Sequence, residues 1–177
     1  MISIYISLEL SALPLAALAA FRRDSRSSEA GMKFLVLSGV SSGLLLYGMV
    51  LVYGFVGSTM LEDVATKLDG MVFDGAQPFG SYTVLFGIVL MVAGFGFKIA
   101  AVPFQMWAPD VYEGSPLPAT IYLATIGKAV TFIVLLRIIV STGTLSLEPV
   151  NQAIALVAVA SIILGNLLAL FQENIKR

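Results

Sequence analysis

Long apolar runs, separated by short polar segments, make up most of the chain. A helix rises about 1.5 Å per residue and the hydrocarbon core of a bilayer is about 30 Å thick, so a spanning helix needs about 20 mostly apolar residues. The runs are continuously apolar, which argues against the alternating pattern of a lipid-facing β-barrel. The pattern therefore predicts an all-α, polytopic membrane helix bundle with five spans, at residues 1–21, 31–56, 80 to about 101, 117–140 and 150–171.

The charges of the connecting segments predict the orientation of the spans. The first connection contains Arg22, Arg23 and Arg26, whereas the second, 57–79, carries Lys67 against four carboxylates. Because cytoplasmic loops carry an excess of lysine and arginine, we expect the first connection inside and the N-terminus outside. Alternation of the spans then places further charged residues on the inner side, namely Asp110, Glu113, Lys176 and Arg177.

Composition narrows the possible functions. Hydrophobic residues make up 58% of the 177 residues and charged residues 12%, against about 25% charged in an ordinary soluble domain. With a net charge of -1, the chain lacks the excess of positive charge that is typical of proteins that bind nucleic acid. Cysteine and histidine are both absent, so we expect no haem, iron–sulfur cluster or other metal or cofactor in this chain. Proton chemistry would have to use carboxylates, lysines, tyrosines and water.

Five charged residues interrupt the predicted spans: Glu9, Lys33, Lys98, Lys128 and Arg137. A charge at the bilayer centre costs at least about 2.5–3.5 kcal/mol. Glu9 and Lys128 lie roughly 12 and 16 Å into their helices, near mid-depth, which favours a functional role over a structural salt bridge. Lys33 and Arg137 lie near predicted helix ends, where a snorkelling side chain is the alternative to a functional one.

Lys98 lies where its span must break. A continuous helix over 80–113 would be about 51 Å long, which exceeds one membrane crossing. Pro103 cannot donate a hydrogen bond to Ile99, and breaks of this kind are tolerated where the loose backbone is buried or lines a wet cavity. We therefore predict one broken helix with Lys98 facing a hydrated internal site. The alternative is a kinked helix end whose lysine reaches the cytoplasmic interface.

Three of these residues, on three spans, predict a proton relay. Opposite charges about 4 Å apart interact by about 4 kcal/mol at an effective dielectric constant near 20, so pairing Glu9 with Lys98 would keep both ionised. Lys128 is a like charge and would disfavour the protonated form of Lys98, so the two lysines would titrate together. In this hypothesis, protonation of Lys128 weakens the hold on the proton of Lys98.

Weaker patterns predict packing and interfacial positions. Gly39 and Gly43 form a GxxxG motif, with Gly48 further along the same span, and glycines of this kind are typical of helix packing in membranes. Apolar positions at helical spacing over 61–68 predict a short interfacial helix. Aromatic residues near the inner boundary predict an interfacial belt, formed by Trp107, Tyr112 and Tyr122.

Several longer motifs point to a known family. The chain contains GFGFKIAAVPFQMWAPDVYEGSPLPA, then TIGKA and LGNLLALFQENIKR, and before them SLELSALPL and RSSEAGMKFLVLSGVSSGLLLYG. These segments strongly resemble the antiporter-like, proton-pumping subunits of respiratory complex I, the bacterial NADH:quinone oxidoreductase. The resemblance extends through essentially the whole chain.

The resemblance implies roles for individual residues. By position, Glu9 matches the pumping glutamate of the family, Lys98 the lysine of the discontinuous helix, and Lys128 the bridging lysine of the next helix. Lys33 matches a further lysine of the buried hydrophilic axis. Gln105 stands where family members usually have histidine, and glutamine cannot take up a proton.

The resemblance also implies a setting. It implies a translocase subunit in a bacterial plasma membrane whose partners are the other membrane subunits, the lipid bilayer, protons and internal water. NAD, FMN, iron–sulfur clusters and quinone would belong to partner subunits. The family is built from two inverted repeats, so we expect residues 1–177 to form a single transmembrane domain that is part of a larger subunit. Two alternatives stay open: a subunit of a cation/proton antiporter or membrane-bound hydrogenase complex, and a truncated fragment without transport.

Overall fold

A computed structural model describes residues 1–22, 24–69, 78–144, 147–174 and 176, with backbone alone at 78, 79 and 81. All regular structure in these residues is helical, which confirms the predicted all-α fold. Arg23, Asp74 and Arg177, which contribute to the predicted orientation, lie outside the described residues. The helices are α1 Ile2–Ala19, α2 Ser25–Val56, α3 Leu61–Asp69, α4 Pro78–Ile99, α5 Trp107–Gly114, α6 Leu117–Ala124, α7 Ile126–Ser141 and α8 Glu148–Leu170.

Five segments of the described chain are long and apolar enough to cross a bilayer, as the hydrophobic pattern predicts. The third span includes the broken region after α4, and the fourth combines α6 with α7. The predicted short helix is present as α3, between the second and third spans; its position at the membrane interface stays a prediction. The five candidate spans are Ile2–Ala19, Ser25–Val56, Tyr82–Gly114, Leu117–Ser141 and Glu148–Leu170.

The second span begins earlier than the apolar pattern predicts. Asp24 caps α2 by accepting a 2.7 Å hydrogen bond from the backbone N–H of Ser27. This cap satisfies one of the free N–H groups of the first turn, so the helix forms through the polar residues that precede the apolar run. Lys33 therefore lies in the third turn of α2 instead of the first, away from the helix end that the apolar pattern predicts for it.

Helices α2 and α4 form the centre of the bundle, and glycines let them approach closely. A Cβ atom on Gly48 would lie 2.5 Å from the carbonyl oxygen of Gly87, and one on Gly94 would lie 3.0 Å from the carbonyl oxygen of Ser41. The Ser41 hydroxyl donates a 2.8 Å hydrogen bond to the Gly94 carbonyl. Small residues at such contacts are the usual means of close helix packing in membranes. This contact fixes α4, and with it Lys98, against α2.

The GxxxG motif on α2 does not mediate this contact. A Cβ atom added to Gly39 or Gly43 would meet no other atom within 4 Å in the described chain. The packing prediction is therefore wrong for these two glycines within the described chain and confirmed for Gly48, which lies on the face of α2 that meets α4.

Replacing Gly48 by alanine is expected to destabilise the bundle. The new methyl group would overlap backbone atoms of α4, and overpacking of this kind costs about 1–3 kcal/mol. Heating detergent-solubilised protein, followed by size-exclusion chromatography, measures the loss as a lower melting temperature. The matched control is Gly43→Ala, whose methyl group meets open space and should leave the melting temperature equal or higher. Equal melting of the two variants would contradict this packing.

Contacts at one end of the bundle agree with the predicted alternation of the spans. The Lys33 ammonium on α2 lies 2.9 Å from Asp110 Oδ2 on α5, and the Lys176 ammonium donates a 3.1 Å hydrogen bond to the Ser115 carbonyl. The early part of α2, the end of α5 and the segment after α8 therefore share one end of the bundle. The alternation predicted from the arginine-rich first connection requires this arrangement.

Candidate functional site

Lys98 occupies the last turn of α4, directly before the break. The Ala100 N–H bonds the Phe97 carbonyl at 3.0 Å, and the Ala101 N–H bonds the Gly96 carbonyl at 2.7 Å. This pair of bonds forms the Schellman arrangement that ends many helices. Ala100 takes a left-handed backbone conformation with φ of 59°, which costs about 1–2 kcal/mol in a residue with a Cβ atom. The predicted break after Lys98 is confirmed.

Side chains from two other segments bind the backbone at the break. The Trp107 indole on α5 donates a 2.9 Å hydrogen bond to the Phe97 carbonyl. The backbone N–H of Val102 donates a 3.0 Å hydrogen bond to the Ser161 hydroxyl on α8. Polar backbone groups freed inside a membrane protein need such partners. These bonds hold the end of α4 in place, and they tie the otherwise exposed α8 to the break.

Removing the Ser161 hydroxyl is expected to loosen this anchor. In Ser161→Ala the Val102 N–H loses its acceptor, and an unsatisfied backbone donor costs about 1–3 kcal/mol. The same heating assay should show a lower melting temperature. Asn166→Ala on the same helix is the control, because the exposed Asn166 amide bonds only the carbonyl of its own helix at Ile162 in the described structure. A melting temperature equal to that of the control would contradict an anchoring role.

Glu9 and Lys98 form an ion pair between α1 and α4. The Lys98 Nζ atom lies 3.0 Å from Glu9 Oε1, and the two side chains are 10% and 29% exposed. Lys98 also lies at the C-terminal end of a helix, where the helix dipole favours a positive charge. Two of the mid-depth charges predicted from sequence are therefore in direct contact.

Ser42 is a third member of this site, and the sequence analysis missed it. Its hydroxyl donates a hydrogen bond to Glu9 Oε1, the same oxygen that binds Lys98. Ser42 belongs to a buried polar face of α2 that includes Ser38 and Ser41. The signal was available in the sequence, because hydroxyl side chains at helical spacing in the middle of an apolar span predict a polar face.

A cavity of about 110 Å³ lies beside Lys98, between the first four spans. Its lining is mostly apolar but includes Lys98 and three residues that carry hydroxyl groups, Ser11, Ser38 and Thr131. The volume has room for several water molecules, and the lining offers the polar partners that such waters need. Lys98 therefore lines a partly open cavity with room for water; that this space is a hydrated part of a proton path stays a prediction.

Lys128 lies in the first turn of α7, after a second break that the sequence analysis did not expect. The fourth span is interrupted at Thr125, whose hydroxyl donates to the Ile121 carbonyl. Lys128 is half-buried and does not line the cavity, although its neighbours Gly127 and Thr131 do. Its ammonium lies 5.3 Å from the centre of the Tyr112 ring. The structure thus places Lys128 near the cavity wall but outside the Glu9–Lys98 contact.

Lys33 forms a separate charged group at the end of the bundle. Its ammonium lies 2.8 Å from Glu29 and 2.9 Å from Asp110, with about two fifths of the side chain exposed. These groups line an open cleft of about 250 Å³ that also includes Arg26 and Glu113. Because this much of its side chain is exposed, Lys33 faces outward at this end of the bundle, apart from Glu9 and Lys98. Ion pairs this exposed contribute little to stability.

Two of the predicted belt aromatics are buried. Trp107 and Tyr112 are 4% and 9% exposed, so the interfacial prediction is wrong for both. They pack instead with Phe34 and Phe97 in one cluster beneath the break. The burial follows from the break, which turns α5 back against α2. Tyr122 is exposed but also lines the cavity beside Lys98, and its interfacial position stays a prediction. The side chain of Arg137, near the end of α7, is exposed.

Comparison with known sequences identifies the family. Residues 1–177 match the sequence family described as NADH:quinone oxidoreductase/Mrp antiporter, TM. The chain belongs to this family. The family that the motifs indicate is thereby confirmed as the NADH:quinone oxidoreductase/Mrp antiporter family.

Individual relatives show which members of the NADH:quinone oxidoreductase/Mrp antiporter family the chain is similar to. NADH-quinone oxidoreductase subunit N of Erythrobacter litoralis is 47% identical over the whole of this chain. A subunit of respiratory complex I from Thermus thermophilus, solved with bound aureothin, superposes over 97% of the chain with a TM-score of 0.76 and 35% identity. The chain spans 35% of the length of each. A chain of an archaeal membrane-bound sulfane sulfur reductase superposes over 72% at 26% identity and a TM-score of 0.58, with 25% of that chain covered.

Proposed function

We propose that this chain is part of a membrane-arm subunit of the proton-translocating NADH:quinone oxidoreductase, of the subunit N type, and that it relays protons. Residues 1–177 would form one transmembrane domain of that larger subunit. The proposal rests above all on the Glu9–Lys98 ion pair, which lies at the broken end of α4 beside a cavity that can be hydrated. An ionisable pair at membrane depth is typical of proton and ion pathways.

In this proposal Lys98 would alternate between a state paired with Glu9, which the structure shows, and a state in which the pair is separated. While Glu9 accepts hydrogen bonds from Lys98 and Ser42, the ammonium is stabilised by its counterion and by the α4 dipole. Separation or neutralisation of Glu9 would leave the ammonium uncompensated in a low-dielectric interior. Lys98 would then release its proton into the adjoining cavity, whose hydroxyls and water can accept and pass it.

Lys128 and Lys33 are the further members of the proposed relay. Lys128 lies in the next span, with Gly127 and Thr131 of its own helix on the cavity wall. A proton received there would add a like charge on the neighbouring span, which would favour release of the proton from Lys98. Lys33, in the charged cleft at the end of the bundle, would exchange protons with the aqueous phase.

The energy for this cycle would come from partner subunits. This chain has neither cysteine nor histidine to hold an iron–sulfur cluster or haem. As the likeness to complex I subunits implies, NAD, FMN, iron–sulfur clusters and quinone would be bound by partner subunits. The relatives that share its sequence come from bacteria, which supports a bacterial plasma membrane as its location. Its partners there would be the other membrane subunits.

A second candidate function is supported by the family itself. The family description includes Mrp antiporters, and a chain of an archaeal respiratory membrane complex shares the fold at lower identity. The chain would then belong to a cation/proton antiporter or a membrane-bound hydrogenase-like complex. The relay residues would be the same, but the driving reaction would differ.

Transport measured in inverted membrane vesicles that contain the native complex separates these candidates. If the proposal is correct, NADH oxidation acidifies the vesicle interior in sodium-free buffer, and antibodies or tags on this chain recover the NADH-oxidising complex. Proton movement that requires sodium, and is independent of NADH, would reject the complex I proposal in favour of the antiporter.

A further inference from the structure

Lys128 has no carboxylate partner in the part of the chain that the structure describes, unlike the two other lysines of the candidate site. Its position in the first turn of α7 is unfavourable for a cation, because the N-terminal end of a helix dipole is positive. The one contact found for its ammonium among these residues is the face of the Tyr112 ring, 5.3 Å from the ring centre. The negative face of an aromatic ring attracts an ammonium at this distance.

The surroundings of Tyr112 hold its ring in this position. The Thr120 hydroxyl donates a 3.0 Å hydrogen bond to the Tyr112 carbonyl and fixes the backbone. The Trp107 ring meets the Tyr112 ring edge-on, with centres 6.0 Å apart and planes at 72°. The Tyr112 hydroxyl, in contrast, is buried without a hydrogen-bond partner among the described residues. The ring, and not the hydroxyl, therefore makes the defined contacts.

The same aromatic group reaches the break beside Lys98. Trp107 stacks on Phe97, with ring centres 5.7 Å apart and planes at 20°. Its indole also bonds the Phe97 carbonyl, one residue before Lys98. A continuous set of contacts thus runs from the end of α4, through Trp107 and Tyr112, to the Lys128 ammonium.

We propose that Tyr112 is a positioning residue of the proton relay, and that its ring face serves as the counter-group of the Lys128 ammonium in place of a carboxylate. This inference rests on the proposed relay function. A ring attracts the ammonium less strongly than a carboxylate would, so Lys128 stays able to release its proton. The aromatic contacts to Phe97 would also make the ring position depend on the conformation of the break.

A series of substitutions that changes the charge distribution of the ring while keeping its shape tests this proposal. Phenylalanine, and then mono-, di- and trifluorophenylalanine, are placed at Tyr112 by nonsense suppression in the native complex. Protons translocated per NADH oxidised are measured in reconstituted vesicles. We expect Tyr112→Phe to remain near wild type and each fluorine to lower the ratio, to roughly five- to tenfold below wild type with three. Tyr112→Leu, which has no ring, should lower the number of protons translocated per NADH at least as far as the trifluorinated residue does. Tyr112→Phe is the matched comparison, because it keeps an unfluorinated ring.

The outcomes separate this inference from the relay itself. Lys128→Ala, measured in parallel, tests the relay. If Lys128→Ala abolishes translocation but the fluorinated series is flat, Tyr112 acts only by filling space and the inference is wrong while the relay stands. If Lys128→Ala translocates normally, both the relay and the inference are wrong. Native gels of each complex verify assembly, so that a graded loss in fully assembled complexes is the supporting result.

Discussion

Glu9→Gln is expected to lower proton translocation at least tenfold in an assembled complex. Glutamine has the shape of glutamate but carries no charge, so Lys98 would keep a hydrogen-bond partner at 3.0 Å and lose its counterion. The bond to the amide still has a charged donor, but the attraction between opposite charges, about 4 kcal/mol at an effective dielectric constant near 20, is lost, and about 1.4 kcal/mol is a tenfold change in rate or equilibrium. The amide also cannot alternate between charged and neutral forms. NADH-driven acidification of reconstituted vesicles measures the effect.

The fold contains a control for this change. Glu62 on α3 is exposed and belongs to no part of the proposed relay, so Glu62→Gln removes a carboxylate charge at a distance from Glu9 and Lys98 in the sequence and in function. Substitutions of exposed side chains usually have small effects, so this variant should change translocation less than about threefold. Equal effects of the two substitutions would mean that the Glu9–Lys98 pair has no special importance, and this would contradict the proposed relay.

The sequence predicted the parts of the site that follow from the cost of burying charge. Glu9 and Lys98 were singled out because an ionised group at membrane depth needs a partner or water, and the structure pairs them. The break after Lys98 was predicted because glycines and prolines interrupt a run too long for one crossing. These inferences need only depth, helix length and backbone chemistry, all of which are read from one segment at a time.

The missed features depend on which faces of different helices meet. The glycine spacing of α2 does not show that Gly48, instead of Gly39 or Gly43, meets α4, and the spacing of its hydroxyl residues does not show that Ser42 reaches Glu9 on α1. Trp107 and Tyr112 have the composition of an interfacial belt, but the turn of α5 after the break buries them under the bundle. The second break, at Thr125, lacks the prolines that mark the first. Each case is decided by contacts between segments distant in the sequence.

Lys128→Arg is expected to abolish most proton translocation while the complex still assembles. Arginine keeps the positive charge and binds aromatic faces at least as readily as lysine, so the contact with Tyr112 can persist. Arginine does not deprotonate at physiological pH, so it cannot accept and release a proton in turn. We expect protons translocated per NADH to fall at least tenfold, measured in the same vesicles.

The reverse exchange on the same helix controls for the Lys128→Arg substitution. Arg137 is exposed near the end of α7, and it forms no ion pair within the described ranges. Arg137→Lys should therefore translocate protons like the wild type. This comparison separates the two roles of an intramembrane lysine, because a residue needed only for its charge tolerates arginine and a residue that carries protons does not. Normal translocation in Lys128→Arg would leave Lys128 a structural role alone, and the relay would then have to bypass α7.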